Sequence, residues 1–187
     1  MYDTNQFRKG LKLEIDGEPY IMTECEFVKP GKGNAFTRTK LKHMVTGAVL
    51  ARTYKTGERV DKADLTENAM QYMYEQGEEY FFMNMETFEQ VGIPSNTLQE
   101  QSRWLHDGLE VNVLFHNGAP ISVDLPNFVE LDIKECDPAV KGDTKNNATK
   151  TAILATGARV DVPLFIGQGE RLRIDTRTGA YVERVKK

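Results

Sequence analysis

The sequence predicts an all-β protein made of three small β-barrels, and three observations carry that reading. Short β-prone runs alternate with turn residues along all 187 residues. Only Ser95 to Leu105 reads as a helix. Charge falls into three blocks. Residues 1–64 carry 12 Lys/Arg against 9 Asp/Glu, net +3. Residues 65–127 carry one, Arg103, against 10, net −9. Residues 128–187 carry 11 against 9, net +2. The whole-chain charge of −4 hides this segregation. The blocks define expected domains at 1–64, 65–127 and 128–187. An acidic middle repels phosphate, so contact with nucleic acid is expected at the two ends.

Each element follows from local chemistry. In the first block, Lys12 to Ile15 leads through the turn Asp16-Gly17-Glu18-Pro19 into Tyr20 to Val28. Alternation there places Ile21, Thr23, Cys25 and Phe27 on one face. Phe36 to Val45, Ala48 to Tyr54 and Glu58 to Val60 follow, separated by Gly47 and Thr56-Gly57. Lys62-Ala63-Asp64 is the first join. In the middle block, Asn68 to Tyr74 and Glu79 to Met85 pair across Glu75-Gln76-Gly77-Glu78. Their Met and aromatic stripe reads as barrel core. The helix Ser95 to Leu105 is expected to be capped by Ser95 or Asn96, with Gly108 past its end. Leu109 to Phe115 and Ile121 to Leu125 flank the hairpin turn His116-Asn117-Gly118-Ala119. Pro126-Asn127 is the second join. Phe128 to Cys136, a polar loop over Lys134–Lys150, two strands across Thr156-Gly157, Arg171 to Thr176, and Tyr181 to Val185 complete the third block. Five strands per unit suit an oligonucleotide-binding barrel in the second and third blocks, although pattern alone does not separate it from other small β folds.

Composition narrows the function classes. Hydrophobic content of 40% and charged content of 28% are those of an ordinary globular chain. No apolar run is long enough for a bilayer, and the N-terminus lacks an apolar signal region. With Cys25 and Cys136 far apart and no CxxC spacing, no disulfide framework or metal site is expected; a cytoplasmic protein with reduced thiols is. None of His43, His106 and His116 sits in a metal-binding motif, and His106-Asp107 reads as a capping or surface pair. Nucleophile-elbow, P-loop and dinucleotide fingerprints are absent. The sequence offers no catalytic residues, metal or cofactor.

The chain is organised around Glu26 to His43. In this hairpin, Lys32 stands between Gly31 and Gly33 after Pro30. Proline fixes one backbone angle, glycine tolerates positive φ, and the loop therefore turns sharply around a single bulky side chain. From Phe27 to Gly57 there is no acidic residue, while Lys29, Lys32, Arg38, Lys40, Lys42, Arg52 and Lys55 occur. Arg38, Lys40 and Lys42 alternate with Thr37, Thr39 and Leu41, so they share a strand face. The hairpin suits a polyanion. Lysines among glycine and proline are also common in plain surface turns, so the hairpin alone does not fix a function.

Motifs in all three blocks resemble the bacterial elongation factor P family. They are KPGKGNAF at Lys29–Phe36, NMETFEQ at Asn84–Gln90, PNFVEL at Pro126–Leu131 and DTRTGAYVERV at Asp175–Val185. Lys150-x-Ala152, Gly157, Val160-x-Val162-Pro163, Ile166 and Gly169 fall at the family's spacing. The resemblance spans the chain. It implies an SH3-like first domain and two oligonucleotide-binding barrels in an L-shaped, tRNA-like arrangement. It implies a monomeric factor, neither an enzyme nor a membrane protein, that binds the 70S ribosome between the P and E sites. There it relieves stalling at consecutive prolines by stimulating peptide-bond formation, with ribosomal RNA and the P-site peptidyl-tRNA as partners. Lys29, Pro30, Gly31, Lys32, Gly33 and Asn34 would form the loop at the tRNA end. Lysine-modifying enzymes would add a β-lysyl group to Lys32, which can be hydroxylated. Other branches carry a glycosylated arginine at the tip; the PGKG context resembles the β-lysylated branch. Gly142, Asp143 and Thr144 resemble the family's codon-side loop, but Asn146 and Asn147 stand where glycines often follow, and Lys150-Thr151-Ala152 replaces a common Lys-Pro-Ala. Tyr181 and Arg184 match RNA-facing positions.

Two other readings compete: a paralogue of the family serving other stalling motifs, and a free RNA-binding β-barrel of cold-shock type. Against the latter, the middle block holds one basic residue and a Met-rich core instead of exposed aromatics among lysines. Nothing in the sequence requires an oligomeric scaffold.

Overall fold

The computed structural model describes residues 1–138 and 148–186. It is all-β, with three sheets. The first takes β1 (Tyr2–Asp3), β2 (Lys12–Ile15), β3 (Glu18–Val28), β4 (Phe36–His43), β5 (Val49–Lys55) and β6 (Arg59–Lys62), in the order β1-β6-β2-β3-β4-β5. The second takes β7 (Leu65–Gln76), β8 (Glu79–Asn84), β9 (Gln90–Pro94), β10 (Glu110–His116) and β11 (Ala119–Asp124), in the order β11-β10-β7-β8-β9. The third takes β12 (Phe128–Cys136), β13 (Thr149–Leu154), β14 (Arg159–Pro163), β15 (Arg171–Asp175) and β16 (Ala180–Val185), in the order β14-β13-β12-β15-β16. By spatial proximity the chain forms two compact units, Met1–Asn68 with Val113–Ser122, and Ala69–Asn112 with Val123–Lys187.

The core of the first unit is Leu11, Leu13, Met22, Leu41, Tyr54 and Val60, and Phe7 meets the Tyr54 ring edge-on at 5.1 Å. Along β4 burial alternates strictly. Thr37, Thr39 and Leu41 point inward while Arg38, Lys40 and Lys42 are exposed, the period-2 pattern expected of a half-buried strand. The buried Thr39 hydroxyl donates to the Arg52 carbonyl at 2.9 Å, so its burial leaves no lone donor.

β3 departs from the expected alternation. Its register against β4 shifts between Met22 and Glu24, and the extra residue reverses the parity of the strand. N-terminal to the bulge Ile21 opposes the exposed Lys42 and Met22 the buried Leu41. C-terminal to it Cys25 and Phe27 oppose the buried Thr39 and Thr37, so Phe27 does not share the face of Ile21 as expected, although at the end of the strand it is still 63% exposed.

The second unit buries Met70, Phe82, Ile93, Leu98 and Trp104 under the middle sheet, and Leu131, Ile133, Leu154, Val162, Leu172 and Ile174 under the third. The single long helix expected over Ser95–Leu105 is corrected to a four-residue turn, α1 (Ser95–Leu98), followed by a 3₁₀ segment over Gln99–Trp104. Pro94 is the cap, without a side-chain cap bond, and Gln99 takes φ +50 and ψ −128. Core geometry explains the break. Leu98 and Trp104 are both about 1% exposed. The non-helical dihedrals at Gln99 redirect the chain, so Leu98 before the break and Trp104 after it are not held to the spacing of one continuous α-helix. The β9 strand and the two-residue β1 were not expected. The turn after β10 is as expected, with Asn117 and Gly118 both at positive φ (48 and 80), the requirement of a two-residue hairpin.

Candidate nucleic-acid interface

The loop carrying Lys32 grows from a closed base. Val28 pairs with Phe36 as the last rung of the β3–β4 ladder. One residue inside that rung, the Ala35 carbonyl accepts both the backbone N–H of Thr56 at 3.2 Å and its hydroxyl at 2.9 Å. These bonds tie the returning arm to the β5–β6 turn. Beyond them the chain stands free: Gly31, Lys32, Gly33 and Asn34 are exposed and Pro30 is half-buried. Gly33 sits at φ +106, a backbone region that L side chains rarely enter. The result is a fixed base and an open tip bearing one cation.

Behind the tip, Phe36, Arg38, Lys40 and Lys42 line the outer face of β4, opposite Lys55, Thr53, Ala51 and Val49 of β5. On the other side β3 brings Glu26 opposite Arg38 and Glu24 opposite Lys40. Lys40 and Glu24 form an ion pair at 2.9 Å, both ends more than half exposed. The Arg38 guanidinium lies 5.5 Å from the Phe36 ring centre. Among the described residues, Lys29, Lys32, Arg38, Lys42, Arg52 and Lys55 have no carboxylate within salt-bridge distance. The acid-free stretch of sequence is therefore acid-free in space at its tip but not along Lys40. The Glu24 and Glu26 neighbours escaped the sequence reading because they lie just before that stretch, and only strand register brings them in. The Thr56 staple was signalled only as a Thr-Gly turn.

The remaining candidates belong to the second unit. Arg184 on β16 donates to the Glu170 carboxylate at 2.9 Å. The Gly167 N–H at 2.7 Å, with Arg184, holds that carboxyl below the usual range. Tyr181 is half-buried beside a groove that also touches Arg103, Trp104 and Arg159. Gly142, Asp143 and Thr144 lie outside the described residues. Among the described residues, no group of three or more His, Cys, Asp or Glu gathers as a metal site, and no helix is long and apolar enough to cross a membrane. His116, 8% exposed, pairs through Nε2 with Glu14 at 3.0 Å.

Three family models match the chain in sequence order: the elongation factor P KOW-like domain over residues 3–60, the elongation factor P OB domain over 65–123, and the elongation factor P C-terminal region over 129–184. Elongation factor P of Moorella thermoacetica is 50% identical over 98% of this chain and 100% of its own. That of Natranaerobius thermophilus is 47% identical over 100% and 99%. That of Rhodopirellula baltica is 47% identical over 98% and 94%. In structure, translation initiation factor 5A from Methanococcus jannaschii covers 65% of this chain and 92% of its own at TM-score 0.56 and 22% identity, a likeness of fold alone.

Proposed function

The chain belongs to the elongation factor P family and is a translation elongation factor, and from that premise we propose that it binds the ribosome between the P and E sites and relieves stalling at consecutive prolines. In this reading Lys32, extended by a β-lysyl group as in the lysine-bearing branch, rests on the end of the P-site peptidyl-tRNA. The carrying observation is the hairpin: one lysine on an exposed glycine-flanked tip, above a base closed by the Val28–Phe36 rung and the Thr56 staple.

The physics needs no group of the protein to react. Proline is a constrained amine and a constrained donor, so the reacting ends meet poorly. Effective molarities show that alignment alone supplies rate factors of many powers of ten. A rigid base carrying a short cationic arm restrains the tRNA end in that way, and the cation suits its phosphates. An unmodified lysine has limited reach, which gives the added group a purpose. The factor therefore acts by positioning and has no catalytic residue.

The test is Lys32→Ala in translation of a Pro-Pro-Pro reporter. Substitutions at such exposed sites move stability by less than about 0.5 kcal/mol, so the fold should stay intact while relief of stalling is lost. Full activity of this variant overturns the reading. Intact mass of the protein from its own cell reports the modification directly, and an unshifted mass removes the β-lysyl assignment.

A further inference from the structure

A groove of the second unit, about 760 Å³, opens where the turn before β16 packs on the end of the 3₁₀ segment. Trp104 forms its floor and is 1% exposed. The Arg103 guanidinium lies over the indole at 4.7 Å, which fixes its direction. At Gly179 an added Cβ would stand 3.5 Å from the indole and 3.6 Å from Arg103 Nη2, so the turn and the Arg–Trp stack are in close contact. Arg159 and Asp161 of β14 and Tyr181 of β16 also line it.

The groove's charge is not that of its surroundings. Arg103 is the one cation of the block that carries net −9, and the structure turns it into this groove. Its ion pair, to Glu100 at 3.4 Å, involves a carboxylate side chain 85% exposed, a weak and easily exchanged partner. Arg159 has no ion-pair partner among the described residues. Among the described residues the one carboxylate lining the groove, Asp161, already accepts the Thr151 hydroxyl at 3.3 Å. Two guanidiniums from separate elements, the hydroxyls of Thr149, Thr151 and Thr178, and a floor too buried to stack a base favour a ligand recognised by its anionic backbone and not by base identity.

Resting on the family reading above, we infer that this groove takes the sugar–phosphate backbone of an RNA strand, with Arg103 and Arg159 as its phosphate-binding residues. The cations of the second unit that touch RNA are then these two, in addition to Arg184, whose guanidinium is held by Glu170. Trp104 and Gly179 position Arg103 and need not touch the ligand.

The experiment measures binding of a short, labelled, single-stranded RNA of mixed sequence to the full chain across a salt series. Arg103→Gln with Arg159→Gln should weaken binding about tenfold or more at low salt. Each lost phosphate contact should lower the slope of log affinity against log salt by about 0.7. Lys134→Gln, an exposed cation of β12 outside the groove, should change neither. Wild-type affinity in the double variant, or an equal loss in Lys134→Gln, overturns the proposal. Should Arg103→Gln lower the melting temperature, Arg103→Lys decides. Retention of the slope supports a charge contact, and loss equal to that of glutamine overturns it in favour of packing on Trp104. No ribosome enters this assay, so its failure leaves the polyproline reading standing, and the failure of Lys32→Ala leaves the groove untouched.

Discussion

Two glycines flank Lys32, and the structure separates them. Gly33 lies at φ +106, whereas Gly31 does not enter the positive range, and neither has space conflicts: an added Cβ at Gly33 meets only Pro30 Cγ at 4.0 Å, and at Gly31 nothing within 4 Å. Gly31→Ala and Gly33→Ala therefore add the same methyl into open space and differ in backbone strain alone. Forcing an L residue into a sparsely populated φ region costs about 1–3 kcal/mol. The tip carries no ladder bonds, so it should escape the strain by rearranging rather than by unfolding the sheet, which the Val28–Phe36 rung and Thr56 hold. At about 1.4 kcal/mol per tenfold, the population of the native tip should fall roughly 5- to 150-fold. Titrating factor in a Pro-Pro-Pro translation assay, Gly31→Ala should stay within about twofold of wild type, on the expectation that a strain-free surface change costs under ~0.5 kcal/mol. Gly33→Ala should need at least several-fold more factor, with the melting temperature of both nearly unchanged. Equal activity of the two variants would refute the claim that tip conformation presents Lys32.

Two further outcomes follow from the charge layout and the ionisable groups. Reversing Arg38 and Lys40 to Glu should weaken ribosome binding and flatten its salt dependence, the more so because Glu24 then faces a like charge, while reversing Glu78 and Glu79 to Lys should leave binding equal or tighter; equal losses from both pairs would refute electrostatic segregation. Arg177 donates two side-chain bonds to Asp175 and holds its carboxyl down at about 2, from an ordinary 3.8. The depressed folded-state value means that its contribution is complete above about 3.8 and lost as pH falls toward 2. Asp175→Asn should therefore be less stable at neutral pH and show a shallower acid-side loss of circular dichroism; an unchanged acid profile would show that the pair does not stabilise the third sheet.

What the sequence discloses is what is local. The hairpin around Lys32 was legible because proline and glycine constrain the few angles around them, and β4 because its alternation is uninterrupted over Thr37 to Lys42. The Asn117-Gly118 turn was legible for the same reason. What failed was decided by partners distant in sequence. The parity of β3 reverses at a bulge that depends on β4, and no residue near Thr23 announces it. The helix over Ser95–Leu105 breaks at Gln99 so that Leu98 and Trp104 can enter one core, a demand set by the sheet and not by helix propensity.

Charge shows the same limit more sharply, because its effect depends on distance and the sequence reports only order. The acid-free run from Phe27 to Gly57 reads as a bare basic surface, yet strand register sets Glu24 against Lys40 at 2.9 Å, and that cation enters any complex already paired. An exposed pair of this kind is worth at most about 1 kcal/mol, so phosphate can displace Glu24, but the counterion released per contact is then partly one the protein supplied itself. The salt response of the hairpin must therefore come mainly from Lys29, Lys32, Arg38 and Lys42, which have no such partner among the described residues. In the acidic block the opposite holds. Arg103 looks lost among ten carboxylates in sequence, but the fold lays it over Trp104, in a groove that Arg159 also lines. A lone cation in an acidic segment thus takes its meaning from the residues the fold sets across from it.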